Sequence, residues 1–274
     1  MFRTLFYRLP VKWRYTVRRT VFYPFDLIEG LTGKRPPMVP PKGMIFTGSG
    51  NFLEQGETFL EYFTKYGQLE PQHRVLDIGS GIGRMAVPLT SFLIEGSYEG
   101  FDVVERGVKW CQQQISTRYS NFNFTYYPLH NDLYTESGES ALQFKFPYAD
   151  NEFDFVFLTS VFTHMLPEEV EHYMHEINRV LKPGGRVLAT FFLLTDKSVE
   201  AMANSEFNFS HNNGHYSLMD EKVKAANVAF SEHFFQKNLI DEANFRLIHL
   251  LPGTWSNRPD GHDFQDIVVA EKVK

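Results

Sequence analysis

HRVLDIGSGIGR, residues 73–84, reads as a short buried strand, a glycine turn and the start of a helix. Val75, Leu76 and Ile78 form the apolar run of a parallel strand covered on both faces. Gly79, Gly81 and Gly83 then alternate with Ser80 and Ile82, which lets the backbone turn sharply and come close to a ligand. A helix opening at Arg84 directs unpaired N–H groups at that ligand. The spacing narrows the choice of ligand. A dinucleotide turn has its third glycine three residues after the second; here Arg84 holds that position and the glycine comes one residue early. A Walker loop needs a lysine, and this turn has none.

Further along, an acid stands where a nucleoside needs one. The next strand, 98–103, carries Asp102, 25 positions after Asp77, near the ~20-residue offset of the ribose-binding acid in dinucleotide folds. A carboxylate there accepts hydrogen bonds from both vicinal hydroxyls. Apolar runs predict strands over 122–127, 155–158 and 187–194, and helical spacing predicts helices over 52–66, 84–96, 106–119 and 232–243. Another helix opens at Pro167 and stops at Leu181-Lys182-Pro183-Gly184-Gly185. Strands at 245–251 and 264–272 follow with no helix between them, which predicts a closing hairpin.

In this order, Asp77-x-Gly79-x-Gly81-x-Gly83, Phe101-Asp102-Val103, Asn131-Asp132, Glu152-Phe153-Asp154, Leu181–Gly185 and the hairpin resemble the class I S-adenosylmethionine (SAM)-dependent methyltransferases over roughly residues 45–272. The resemblance implies an α/β, Rossmann-like fold: a seven-stranded, mostly parallel sheet with an antiparallel last strand and helices on both faces. It implies S-adenosyl-L-methionine as cofactor, with Asp77, Gly79, Ser80, Gly81 and Gly83 at the turn and Asp102 and Val103 at the ribose. Asn131, Asp132 and Leu133 would surround the adenine, and Thr159 ends the fourth strand at the binding edge. Phe46–Asn51 would close over the methionine end. His164 is the candidate general base, because its ordinary pKa lies near neutrality. Residues 195–230 occupy the place of the family's acceptor-recognition insertion, where His211, His215 and Tyr216 are the candidate acceptor contacts.

Composition bounds the function. The 274 residues bear a net charge of −6, which argues against a general nucleic-acid binder. One cysteine, Cys111, excludes an internal disulfide framework and fits a reducing compartment. His172 and His175 fall off the inner face of their helix, so solvent rather than metal is expected there. The charge is uneven: residues 1–25 hold six Arg or Lys and no acid, leaving about −12 on the remainder. That basic, aromatic segment suits an anionic membrane surface. Pro10 and Pro24 interrupt a long helix, which favours instead an extension (1–44) packed on a methyltransferase domain (45–274). No run is long and apolar enough to span a bilayer, and a cytoplasmic location, with or without membrane association, is expected. The acceptor expected is a small molecule, a sugar or a lipid-linked glycan. Two other classes remain: a SAM-binding scaffold without catalysis, and a nicotinamide-dependent oxidoreductase, which the glycine spacing and the hairpin disfavour.

Overall fold

The structure is a computed structural model that describes residues 11–48, 50–131, 138–202, 205 and 207–273. β1 (Arg74–Ile78) lies between β2 (Ser97–Asp102) and β4 (Phe153–Leu158), parallel to both, with β3 (Phe122–Tyr126) beyond β2 and β5 (Leu181–Phe191) beyond β4. Every β1 residue after Arg74 is buried, as an apolar run covered on both faces requires. Its alternate side chains enter different cores. Leu76 and Ile78 pack with α5 (Pro167–Val180), while Val75 packs with α2 (Phe52–Lys65), α3 (Ala86–Phe92) and α4 (Glu105–Cys111). The hairpin forms as expected from β10 (Phe245–Leu251) and β11 (Asp266–Lys272), and β11 runs antiparallel to both β10 and β5. The sheet order is β10-β11-β5-β4-β1-β2-β3. The seven-stranded, mostly parallel sheet and its two helical layers are therefore as the sequence implied.

Several boundaries differ, four of them with a structural reason or consequence. β5 starts at Leu181, not Val187: Phe153 pairs with Leu181 and Phe155 with Arg186, so the Pro-Gly-Gly segment is a bulge inside the strand. β5 also ends early, at Phe191, because Asp266 ties down the chain beyond it. The Asp266 carboxylate accepts from Leu193 N (2.8 Å), Gly253 N (2.7 Å) and Trp255 Nε1 (2.8 Å). The first helix begins two residues late, at Ala86, and the last begins as a short α-turn (Glu232–Phe234) that widens into a π-helix (Phe235–Asp241).

Two larger segments were incompletely read. The stretch after β5 is not irregular: β6 (Leu193–Leu194) leads into α6 (Asp196–Met202), and β6 joins β9 (Val228–Ser231), β8 (Tyr216–Leu218) and β7 (His211–Asn212) in a small sheet. At the N-terminus, α1 (Val11–Leu31) runs unbroken through Pro24. Both Pro24 and Thr20, whose carbonyl loses its partner there, are exposed, so that carbonyl is open to solvent. α1 rests on the 3-10 turn Lys42–Met44, and most of its apolar side chains face solvent. Among the described elements, that turn is its main contact with the body.

Candidate functional site

A cavity of about 480 Å³ opens at the carboxyl ends of β1, β2 and β4, the edge where parallel α/β sheets bind ligands. The glycine turn forms its floor. Gly79 N and Ser80 N donate to Phe101 O (2.9 and 3.0 Å), which stitches the turn to the end of β2. Gly81 has φ +59°, and a Cβ there would lie 2.7 Å from Thr47 Cγ2, so only glycine lets the 46–48 segment close down. Gly83 does not line the cavity; its missing Cβ makes room for Ile115 and Cys111 of the neighbouring helix.

Two buried carboxylates face the cavity. Asp102 Oδ2 accepts from Gly81 N and Oδ1 from Val104 N, each at 2.7 Å. The acid therefore also shapes the turn, and each oxygen keeps one acceptor position for a ligand. Burial pushes its pKa up to about 6 against the lowering effect of those N–H donors. Asp77 Oδ2 accepts from the Tyr98 hydroxyl at 2.5 Å, and burial pushes Asp77 up to about 8.

Arg84 is the residue the spacing argument noticed but gave no task. Its guanidinium reaches the cavity wall, bonding Gln55 Oε1 and Thr47 O. It lies over the Phe52 ring (5.6 Å) and pairs with no carboxylate among the described residues. Burial, then the nearby Arg18 charge, lowers its pKa to about 10, so it stays cationic at neutral pH. A cation beside a helix N-terminus opposes the dipole. That misfit was visible in the sequence and is the signal that an anion belongs there.

Asp77 Oδ1, Ser80 Oγ, Arg84 Nε and Thr47 Oγ1 are buried without a hydrogen-bond partner among the described residues, and all four residues line the cavity. Orphaned polar atoms carry a desolvation cost. Four on one cavity wall fit a ligand end bearing both an ammonium and a carboxylate, as the amino-acid half of SAM does. Val103, Leu129 and Asn131 line the far side, where an adenine would sit. Asp132 and Leu133 lie outside the described residues, as does Ser49.

Thr159 and His164 also line the cavity. Asn131 Nδ2 donates to His164 O (3.2 Å), joining the adenine side to the histidine turn. His164 Nδ1 donates to Ala225 O at 2.7 Å, because a carbonyl can only accept; Nε2 is then the acceptor nitrogen. Ser160 sits in the left-handed region (φ +58°) with its N–H on Thr190 Oγ1 and its hydroxyl on Gln265 Oε1. The structure does not bring the candidate acceptor residues His211, His215 and Tyr216 here. His211 pairs with Glu221 (3.3 Å), His215 stacks on Phe234 (4.9 Å), and Tyr216 packs against the core. None of the three lines the cavity; Phe192, Phe207 and Phe264 do.

Comparison with known proteins finds methyltransferases. Residues 76–189 match a methyltransferase-domain family. Among curated relatives, a phthiotriol/phenolphthiotriol dimycocerosates methyltransferase from Mycobacterium ulcerans is 31% identical over 121 residues, 43% of this chain and 36% of that one. A tRNA N(3)-cytidine methyltransferase from Gallus gallus is 25% identical over 135 residues, 46% of this chain and 32% of that one. The chain thus spans about a third of the length of the curated relatives it matches. Among solved structures, the 1,6-didemethyltoxoflavin-N1-methyltransferase of Burkholderia thailandensis, holding S-adenosylhomocysteine, shares the fold. Its TM-score is 0.53 at 15% identity, with 97% of this chain and 92% of that one covered.

Proposed function

We propose that the chain, of which residues 76–189 match a methyltransferase-domain family, is a class I SAM-dependent methyltransferase that transfers the cofactor's methyl group to a small molecule, a sugar or a lipid-linked glycan. The observation that carries the cofactor half is the set of four orphaned polar atoms on the cavity wall. Arg84 would hold the carboxylate, Asp77 and Ser80 the ammonium, and Asp102 the ribose hydroxyls. Bound there, SAM supplies a methyl on a sulfonium, already electrophilic. Orienting the acceptor then contributes much of the acceleration.

The acceptor half is supported by the character of the remaining wall. Phe192, Phe207, Phe264 and Tyr173 offer ring faces, and Asn227 and Gln265 offer hydrogen bonds. Arg84 is the lone Arg or Lys in the described lining, while Glu169 and Asp263 are acidic. Such a wall disfavours an acceptor that presents its phosphates to the cavity, as tRNA would. The 195–230 segment would recognise the acceptor through Phe207 and Asn227, not through His211, His215 or Tyr216.

His164 Nε2 would take the proton of a hydroxyl acceptor. A labelled-methyl assay over free sugars, polyprenyl-linked sugars and tRNA tests the acceptor class. Label in tRNA alone would refute it, and no label anywhere despite SAM binding would favour the scaffold reading. On a hydroxyl acceptor, His164→Ala should lower kcat by about 100-fold or more, the usual contribution of a general base, with SAM affinity kept. Undiminished turnover would remove His164 from the chemistry.

Cofactor affinity should also depend on pH. Ribose hydroxyls donating to Asp102, and a cation beside Asp77, both favour the ionised carboxylates, so binding releases protons. Affinity should therefore rise as pH is raised through about 6 and on through about 8. Titration calorimetry in buffers of different ionisation enthalpy reads this directly; pH-independent binding without proton release would contradict it.

A further inference from the structure

α1 turns its apolar side outward. Trp13, Val17, Val21, Pro24, Ile28 and Leu31 follow at spacings of three and four residues, which places them in one stripe along the helix. Trp13, Val21, Ile28 and Leu31 are 62%, 59%, 60% and 80% exposed. The helix's acids are used on the opposite side. The Asp26 carboxylate accepts from Lys42 N (2.6 Å) and Gly43 N (2.9 Å), and Glu29 pairs with Lys42 Nζ (2.5 Å). What remains outside is a continuous apolar stripe. A patch of this kind marks an interaction surface.

We propose that this stripe docks on an anionic lipid bilayer, with α1 lying in the headgroup plane. Charge selects this occupant. Residues 1–25 hold six basic residues and no acid, which complements anionic headgroups and repels a second copy of the same helix. The aromatic rings Trp13 and Tyr23 suit the interfacial level, and no described helix is long and apolar enough to cross a membrane. The position of α1 connects docking to the site. The Lys42–Met44 turn that carries α1 is followed directly by Ile45, Phe46 and Thr47, and the last two wall the cavity. Arg18 of α1 is close enough to bear on the ionisation of Arg84. A docked bilayer would therefore lie beside the cavity mouth, and an acceptor carried in the lipid would reach it without leaving the membrane. That last consequence rests on the methyl-transfer reading; the docking itself does not.

The test uses the full chain with vesicles of phosphatidylcholine alone or mixed with phosphatidylserine. Co-sedimentation, tryptophan emission and sedimentation velocity are read alongside SAM calorimetry. Wild type should bind the mixed vesicles at least ~10-fold more tightly than the neutral ones, with a blue shift and with weakening by salt. Trp13→Glu/Val21→Glu/Ile28→Glu should lose ~10-fold or more of that affinity while keeping SAM affinity. Arg14→Glu/Arg19→Glu, which leaves the stripe intact, should lose the preference for anionic lipid. Equal binding by the stripe variant, or no vesicle binding by wild type, would overturn the proposal. A wild-type dimer that the stripe variant makes monomeric, without vesicle binding, would assign the face to a second copy instead. If neither protein binds SAM but wild type binds vesicles, the methyltransferase reading fails and the docking stands.

Discussion

Asp102→Ala should weaken SAM binding by about 10- to 100-fold, as expected for losing charge-assisted hydrogen bonds at about 1.5–3 kcal/mol each. The substitution acts twice. It removes the acceptor for the ribose hydroxyls, and it strands the Gly81 and Val104 N–H groups that the carboxylate now satisfies at 2.7 Å. Binding of 5′-methylthioadenosine, which keeps the ribose but lacks the amino acid, should fall by a similar factor. Asp102→Asn separates charge from size: its amide must turn an NH2 towards one of the two backbone donors, so it should recover little. Wild-type affinity for either ligand in Asp102→Ala would remove Asp102 from the cofactor site.

Arg84→Met should show the opposite selectivity. The buried guanidinium has no acidic partner among the described residues, so the cofactor carboxylate would be its counter-ion. Losing one partner of such a pair costs about 2–5 kcal/mol, or at least ~30-fold in affinity for SAM. Methylthioadenosine, with no carboxylate, should bind as to wild type. The free protein should be no less stable than wild type, because a buried unpaired cation is replaced by an apolar chain of similar length; thermal unfolding measures this. Equal losses for both ligands would mean that Arg84 supports the wall formed by Thr47 and Gln55 and does not bind the carboxylate.

The cofactor end was largely legible because its requirements are local. A turn that must approach a ligand needs glycine, a ribose needs an acid at a strand end, and the apolar runs of β1, β2 and β4 put both at one sheet edge. Gly83 was expected at the cofactor and faces Ile115 and Cys111, because tight helix packing and ligand approach both demand a missing Cβ. The acceptor end was less legible, since it is assembled from separate segments. Phe192 follows β5, Phe207 follows α6 and Phe264 precedes β11, and no spacing in the chain joins them. His211, His215 and Tyr216 attracted attention by composition, yet their partners are Glu221, Phe234 and the core. α1 was misjudged because proline was taken as a stop. On an exposed face, with the Thr20 carbonyl open to solvent, the helix continues.

The most direct test of the cofactor assignment is a calorimetric titration of the wild-type chain with SAM, S-adenosylhomocysteine and NADH. The site as described predicts one molecule of either sulfur compound per chain and no heat from NADH. Saturable NADH binding with no response to SAM would contradict it.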